Sequence, residues 1–291
     1  MATASEWLAG ARPRTLPAAV APVLAGTGVA AYADAAVWWK ALLALVVSLA
    51  LQVGVNYAND YSDGVRGTDD ERVGPMRLVG SKVATPPAVK RAAFLAFGVA
   101  AAAGLVLAAT TAWWLVAVGA VSVLAAWFYT GGSKPYGYLG LGEVMVFVFF
   151  GLVAVLGTEY VQTEALDLPG LYAATGIGAL ACAILVANNL RDIPTDRESG
   201  KTTLAVRLGE ERTRYVYSFL VAAVAVTVVG VGLTTTGWAF LGLAYLLPAL
   251  PAVRTVLGQA RGPALIPVLQ RTGVAELVCG LGLCVGLLIG R

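Results

Sequence analysis

The chain has 291 residues, 58% hydrophobic and only 13% charged, with a formal net charge of +3 and a mean hydropathy of +0.77. It contains no His, which excludes His general bases, His metal ligands and Ser–His or Cys–His nucleophiles. The 3 Cys lie in apolar runs without a CxxC, so neither a disulfide framework nor a zinc site is expected.

Apolar runs of about 20 residues, the length that spans a bilayer as helix, recur along the whole chain. Most have no polar face. The expected fold is an all-α polytopic membrane protein: one bundle of nine transmembrane helices over residues 1–291, with no soluble domain appended. "ARPRTLPAAVAPVLAG" opens the first span, 15–33, read as retained rather than as a cleaved signal. The second, 41–60, runs into "NYANDYSDGVRGTDDERVGP" at 56–75, which begins a loop of about 61–87. Spans 88–109, 112–130 and 139–158 follow, the last with Glu143 just inside it. Span 168–189 ends in "ANNLRDIPTDRESGKTTLAVRLG", which opens a second long loop of about 190–212. Pro194 disfavours helix at Ile193, so a kink or stop is expected there. The final spans are 213–233, 237–253 and 272–290. "GPALIPVLQ" between the last two is read as re-entrant or interfacial, and Glu276 is expected to face the bundle toward Arg271.

With those spans, all of the 20 Lys and Arg except Lys40 and Arg291 fall on one side. The positive-inside rule makes that side cytoplasmic, with the N-terminus on it and the C-terminus opposite. The two long loops put most of the polar mass of the chain there.

Acids gather where spans 2 and 6 end. Asn56, Asn59, Asp60 and Asp63 are spaced i, i+3, i+4, i+7 and project within an arc of about 100° on a helix, so that all four can face one cavity. Asn188, Asn189, Asp192 and Asp196 form the second set, with Arg191, Arg197 and Lys201 interleaved. Asp69, Asp70, Glu71, Glu210 and Glu211 read more simply as solvated loop residues. Charges at the ends of apolar spans are costly and mark a functional interior. Facing carboxylates repel one another unless cations bind between them. Carboxylates with Asn, and no His or Cys, make a hard all-oxygen set that suits Mg²⁺. Arg66, Arg72, Lys134, Arg191 and Lys201 would balance phosphate charge. Asp clusters, basic neighbours and a greasy cavity together imply a substrate with a diphosphate head and a hydrocarbon tail.

"NDYSD" and "RDIPTD" resemble the two Asp-rich motifs of the UbiA superfamily of intramembrane prenyltransferases. "ARPRTLPAAVAPVLAG", "NYANDYSDGVRGTDDERVGPMRLVGS", "YTGGSKPYGYLGLGEVMVFVFFG" and "NNLRDIPTDRESGKTTLAVRLG" look most like its branch acting on 1,4-dihydroxy-2-naphthoate in menaquinone biosynthesis. The resemblance implies a bacterial inner-membrane enzyme with a cytoplasmic active site. It would transfer a polyprenyl group from polyprenyl diphosphate to the naphthoate, with loss of CO₂ and diphosphate. It also implies Mg²⁺ held by Asn59, Asp60, Asp63, Asp192 and Asp196. The family's further Asp four residues after Asp63 is replaced by Gly67, and Asp69 is the nearest substitute ligand. Asp60, Asp63, Asp192, Asp196, Lys134 and Tyr129 are then expected to be catalytic. Asn56, Asn59, Arg66, Arg72, Asn188, Asn189, Arg191, Lys201 and Tyr136 are expected to bind substrate, and Arg12 and Arg14 to reach the acceptor carboxylate. Arg12 and Arg14 equally fit positive-inside anchoring, and the two Tyr equally fit interfacial anchoring.

Three alternatives stand beside this reading. One is the same fold with another acceptor, such as 4-hydroxybenzoate, homogentisate or a haem. A second is a lipid phosphotransferase for CDP-linked substrates, disfavoured because the chain continues DGVRGTDDERVG rather than DGxxAR. The third is a cation transporter, disfavoured because the acids cluster at one membrane level rather than at the midplane. The partners expected are the lipid bilayer and the two substrates, with no nucleic acid.

Overall fold

The computed structural model describes residues 2–67 and 76–291. The expected site residues Asp69 and Arg72 lie outside the described residues. Among the described residues the chain is helical without strands. A short helix α1 (Ala4–Gly10) leads into α2 (Pro17–Tyr32) across a 50° bend. The long helices α3 (Trp38–Arg66) and α4 (Pro86–Thr110) follow, then α5 (Leu115–Phe128), only 14 residues long. After a loop come α6 (Gly142–Thr163), α7 (Leu168–Glu198), α8 (Leu204–Thr234), α9 (Gly237–Leu257) and α10 (Gly262–Ile289).

Length and composition qualify 7 of these helices as spans, or 8 with the bent α1–α2 pair. The count of nine therefore remains an expectation that would also need the short α5. Boundaries differ in two places. The expected loop 190–212 is mostly helix: α7 continues through Pro194 to Glu198, with the Thr195 hydroxyl donating to the Asp192 carbonyl at 3.0 Å. α8 starts at Leu204, capped by Thr203, and breaks at Gly209, whose φ of 78° only glycine adopts without strain. "GPALIPVLQ" is not re-entrant but forms the first turns of α10.

The overlength of α3 and α7 explains where the acids sit. They contain 29 and 31 residues, about 45 Å of helix at 1.5 Å per residue, against a hydrocarbon thickness of about 30 Å. Each projects beyond the apolar layer at the end that carries its Asp motif. Gly67 ends α3 in the left-handed region (φ 74°), and a helix stop of that kind favours glycine over the Asp that the family often has four residues after Asp63.

α7 is the most buried span and packs against α8, α6 and α10. Close approach comes from missing side chains. A Cβ at Gly151 of α6 would lie 2.7 Å from the Cα of Gly178 in α7, and one at Gly280 of α10 would lie 2.6 Å from the Ala21 carbonyl oxygen in α2. Without a hydrophobic drive between helices in lipid, such close van der Waals contact holds the bundle together. α6 winds as a π-helix over Phe147–Leu156. At 3.6 residues per turn, side chains four apart drift by about 40° per step. The wider winding opposes that drift, and Met145, Phe149, Val153, Gly157 and Val161 keep to one cavity wall.

Candidate active site

Two cavities meet inside the bundle. One, of about 520 Å³, opens at the motif-bearing ends of α3 and α7. It is lined by Asn59 and Asp63 from α3, by Asn188, Asn189, Arg191, Asp192 and Asp196 from α7, by Arg12, Arg14 and Thr15 from the α1–α2 bend, and by Arg77, Tyr138 and Lys201. The other, of about 340 Å³, is almost wholly apolar and runs along α3 from Asn59 to Ala44 between α4, α5 and α6. Gln52, Asn59, Tyr129, Val146 and Phe150 line both.

The two Asp motifs therefore do converge, but not with every residue expected. Asn59 and Asp63 face the polar cavity. Asp60 does not line it: fully buried, it accepts the backbone N–H groups of Leu78 at 2.7 Å and Val79 at 3.0 Å. The segment ahead of α4 claims this carboxylate, and Asp60 holds in place its Met76, Arg77, Gly80 and Ser81, which line the cavity. Asn56 donates to the Ala11 carbonyl and to Thr15 Oγ1, both at 2.9 Å, and borders the apolar cavity instead. A 100° arc was too wide to place four side chains in one polar space.

On α7, Arg191 grips Asp192 with a two-pronged contact, Nε to Oδ1 at 2.6 Å and Nη2 to Oδ2 at 2.7 Å. Its Nη2 also donates to Asn188 Oδ1 at 2.8 Å. Such forked pairs are strong and directional. Asp196 lines the same wall, and its carbonyl accepts the N–H of Lys201 at 2.8 Å, turning the chain back toward the site.

The basic residues divide. Arg12, Arg14, Arg191 and Lys201 line the polar cavity. Arg66 instead donates to the carbonyls of Thr130 and Gly132 and pins the loop after α5. Lys134, expected to be catalytic, is exposed on that loop and lines neither cavity. Of the two Tyr singled out, Tyr129 sits at the junction of the cavities. Tyr136 borders the apolar one, with its hydroxyl donating to the Ala125 carbonyl at 2.7 Å. Burial raises the Tyr136 phenol above its usual range, which keeps it a neutral donor.

Tyr138 joins the two motifs, and the sequence reading passed over it. Its hydroxyl donates to Asp63 Oδ1, and its ring carries both the Arg66 guanidinium at 5.5 Å and the Lys201 ammonium at 4.4 Å from its centre. Its carbonyl accepts the N–H of Thr202 at 2.9 Å and the Thr202 hydroxyl at 3.0 Å. Nothing in "KPYGYLGLG" separates this Tyr from Tyr136 except the 3₁₀ turn that puts them on different sides.

Glu276 is fully buried with neither oxygen hydrogen-bonded, while Arg271 is exposed. The expected approach of the two does not occur.

A model of the UbiA prenyltransferase family matches residues 19–263. The chain belongs to that family. It is 58% identical over its whole length to 1,4-dihydroxy-2-naphthoate octaprenyltransferase of Mycobacterium tuberculosis, covering 99% of that protein. It is 38% identical to the Escherichia coli protein of the same name, over 98% of this chain and 96% of that one. Among solved structures, a UbiA homolog from Aeropyrum pernix superposes with a TM-score of 0.71 at 14% identity, covering 94% of this chain and 97% of that one. A UbiA homolog from Archaeoglobus fulgidus, bound to DMAPP and Mg²⁺, gives 0.66 at 14% identity, over 98% of this chain and 99% of that one. At this identity the likeness is one of fold.

The donor set fits the Mg²⁺ that the UbiA fold implies. Among the described residues no three His, Cys, Asp or Glu side chains gather closely enough to hold a metal unaided. Oxygen donors do line the two sides of the polar cavity: Asn59 and Asp63 on one, Asp192 and Asp196 on the other. Mg²⁺ commonly takes one or two carboxylates and completes its shell with water and substrate phosphate.

Proposed function

We propose that the protein transfers a polyprenyl group from polyprenyl diphosphate to 1,4-dihydroxy-2-naphthoate, releasing diphosphate and CO₂, in menaquinone biosynthesis. The observation that carries this reading is the shared wall between a polar, charged cavity and an apolar one. A molecule filling both is charged at one end and hydrocarbon at the other, with its reacting carbon at the boundary. The identity to proteins named for this transfer supports the acceptor.

Asn59, Asp63, Asp192 and Asp196 are the residues that would hold Mg²⁺, which supplies Lewis-acid stabilisation of the departing diphosphate. Arg77, Arg191 and Lys201 share the remaining phosphate charge. Arg191, already locked to Asp192, reaches it at little cost in ordering. The C–O bond of the donor breaks and its electron pair leaves with the diphosphate. The Tyr129 ring at the junction presents a π-face to the allylic cation, while Val146 and Phe150 exclude water from it. The ring carbon of the naphthoate supplies the new bond, and loss of CO₂ returns the bonding pair to the ring. Arg12 and Arg14 hold the acceptor carboxylate before it leaves. The cationic end of the bundle is read as cytoplasmic in a bacterial inner membrane.

The test is transfer by purified protein in liposomes, using a labelled polyprenyl diphosphate with Mg²⁺ or EDTA. Mg²⁺-dependent product with the naphthoate, lost in Asp63→Asn and Asp192→Asn, is expected. Product with 4-hydroxybenzoate alone would keep the chemistry and reject the acceptor. No product with either would reject the reading.

A further inference from the structure

Glu143 takes no part in the steps above, yet it is a buried acid set beside the polar cavity. Its Oε1 accepts a hydrogen bond from Asn189 Nδ2 at 3.0 Å. Its Oε2 is buried with no hydrogen-bond partner, and its own carbonyl accepts the Cys182 thiol at 3.1 Å, fixing this turn of α6 against α7. Asn189 is itself buried and lines the polar cavity. Its Oδ1 has no hydrogen-bond partner among the described residues and is open rather than sealed in the core. Because Oε1 takes the amide N–H, the amide oxygen is turned the other way. What Asn189 offers the cavity is therefore an acceptor.

An acceptor is the wrong group for a diphosphate, whose oxygens are all acceptors, and the right one for a hydroxyl, the oxygen donors for Mg²⁺ being supplied already by Asn59, Asp63, Asp192 and Asp196. The neighbour Asn188 differs: its Oδ1 is taken by Arg191 and its Nδ2 points to Asp192 at 3.4 Å, so it serves the charged motif. Resting on the transfer reading above, we infer that Asn189 reads a ring hydroxyl of the aromatic acceptor, and that Glu143 is a positioning residue that fixes the Asn189 amide in the orientation able to do so. One wall of α7 thus serves two substrates. Asn188, Arg191, Asp192 and Asp196 face the diphosphate, and Asn189, rotated about 100° from Asn188, faces the phenol.

The test uses full-length protein in liposomes and separates the two substrates. Asn189→Leu removes the acceptor. Glu143→Gln keeps the size of the side chain but can donate, which frees the amide to turn over. Each is expected to raise the KM for the naphthoate about tenfold, the usual scale for losing one hydrogen bond at a buried site. The KM for the polyprenyl diphosphate stays within about twofold. Mono-O-methyl ethers of the naphthoate give the second readout. In the unaltered protein one ether binds about tenfold worse than the free hydroxyl, and both substitutions erase that preference. A preference that survives both substitutions, or a donor KM that rises in step with the acceptor KM, overturns the inference. If Asn189→Leu lowers the melting midpoint and the yield of folded protein, Glu143→Gln carries the same test. Unaltered protein that binds the donor but transfers nothing to the naphthoate overturns the parent reading, and this one with it.

Discussion

Asp60 and Asp63 lie one turn apart in the same motif, and the structure gives them different work, so exchanging each for Asn should produce different defects. Asp60 accepts two backbone N–H groups, at 2.7 and 3.0 Å, from a segment whose Leu78 is fully buried. Asparagine keeps one acceptor and turns its NH₂ toward the other N–H. One hydrogen bond to a charged group is lost outright and the other is weakened, for a cost of about 2–4 kcal/mol. At about 2–4 °C per kcal/mol this lowers the melting midpoint in detergent by roughly 5–15 °C. The loosened segment carries Arg77, so the KM for polyprenyl diphosphate rises about three- to tenfold, while the Mg²⁺ concentration for half-maximal rate stays within twofold. Asp63→Asn should do the reverse, with a melting midpoint nearly unchanged and the Mg²⁺ requirement raised tenfold or more. The assay is initial transfer rate against Mg²⁺ at saturating donor, alongside thermal unfolding of the same preparations. An Asp60→Asn protein that melts normally and needs as much extra Mg²⁺ as Asp63→Asn would refute the division of labour.

Other substitutions probe separate parts of the molecule. Tyr138→Phe keeps the ring against Arg66 and Lys201 but loses the hydroxyl on Asp63; kcat/KM for the donor should fall about five- to thirtyfold, measured by steady-state transfer. Lys134→Ala, on an exposed loop residue that lines neither cavity, should leave kcat and both KM values within twofold. Gly151→Val puts a Cβ 2.7 Å from the Gly178 Cα and must part α6 from α7, so folded yield and melting midpoint should drop. Gly119→Ala meets nothing within 4 Å and should change neither. Gly119 also lines the apolar cavity, so Gly119→Trp is expected to raise the KM for long polyprenyl diphosphates more than for a ten-carbon donor, in a competition assay between the two.

The spans and the two motifs were legible because lipid makes charge costly, so each charged residue in an apolar run carries information. Asp63, Asp192 and Asp196 line the cavity on which the motif spacing converged. The rest depended on partners remote in sequence. A helical arc of 100° does not say which edge faces the cavity, and a loop 18 residues later settled that for Asp60 by bringing two unsatisfied N–H groups to it. Lys134 looked apt by charge and proximity to the α6 start, but Pro135 and the 3₁₀ turn at Tyr136–Leu139 direct Tyr138 inward and leave Lys134 outside. Membrane-interface enrichment of Tyr hid Tyr138 among its neighbours. In 190–212, polarity and Pro194 both argue for a loop, yet α7 continues to Glu198 because its polar end extends beyond the hydrocarbon layer.

The same overlength accounts for the position of the chemistry. Asp63 and Asp196 are held on helix, beyond the hydrocarbon depth, where water and phosphate are tolerated and backbone donors need no further partners. The apolar cavity starts one turn below, at Asn59, and follows α3 to Ala44, about 22 Å at 1.5 Å per residue. On the proposed reading, a prenyl diphosphate lying across that step would have its head anchored and its tail enclosed. Its C–O bond would then fall at the boundary that Gln52, Asn59, Tyr129, Val146 and Phe150 line. On that reading, cleavage there would separate charge across the boundary, leaving the diphosphate among cations and the carbocation against Tyr129, Val146 and Phe150. Widening that five-residue wall, more than weakening either end, should therefore divert product from prenylated naphthoate to free prenyl alcohol.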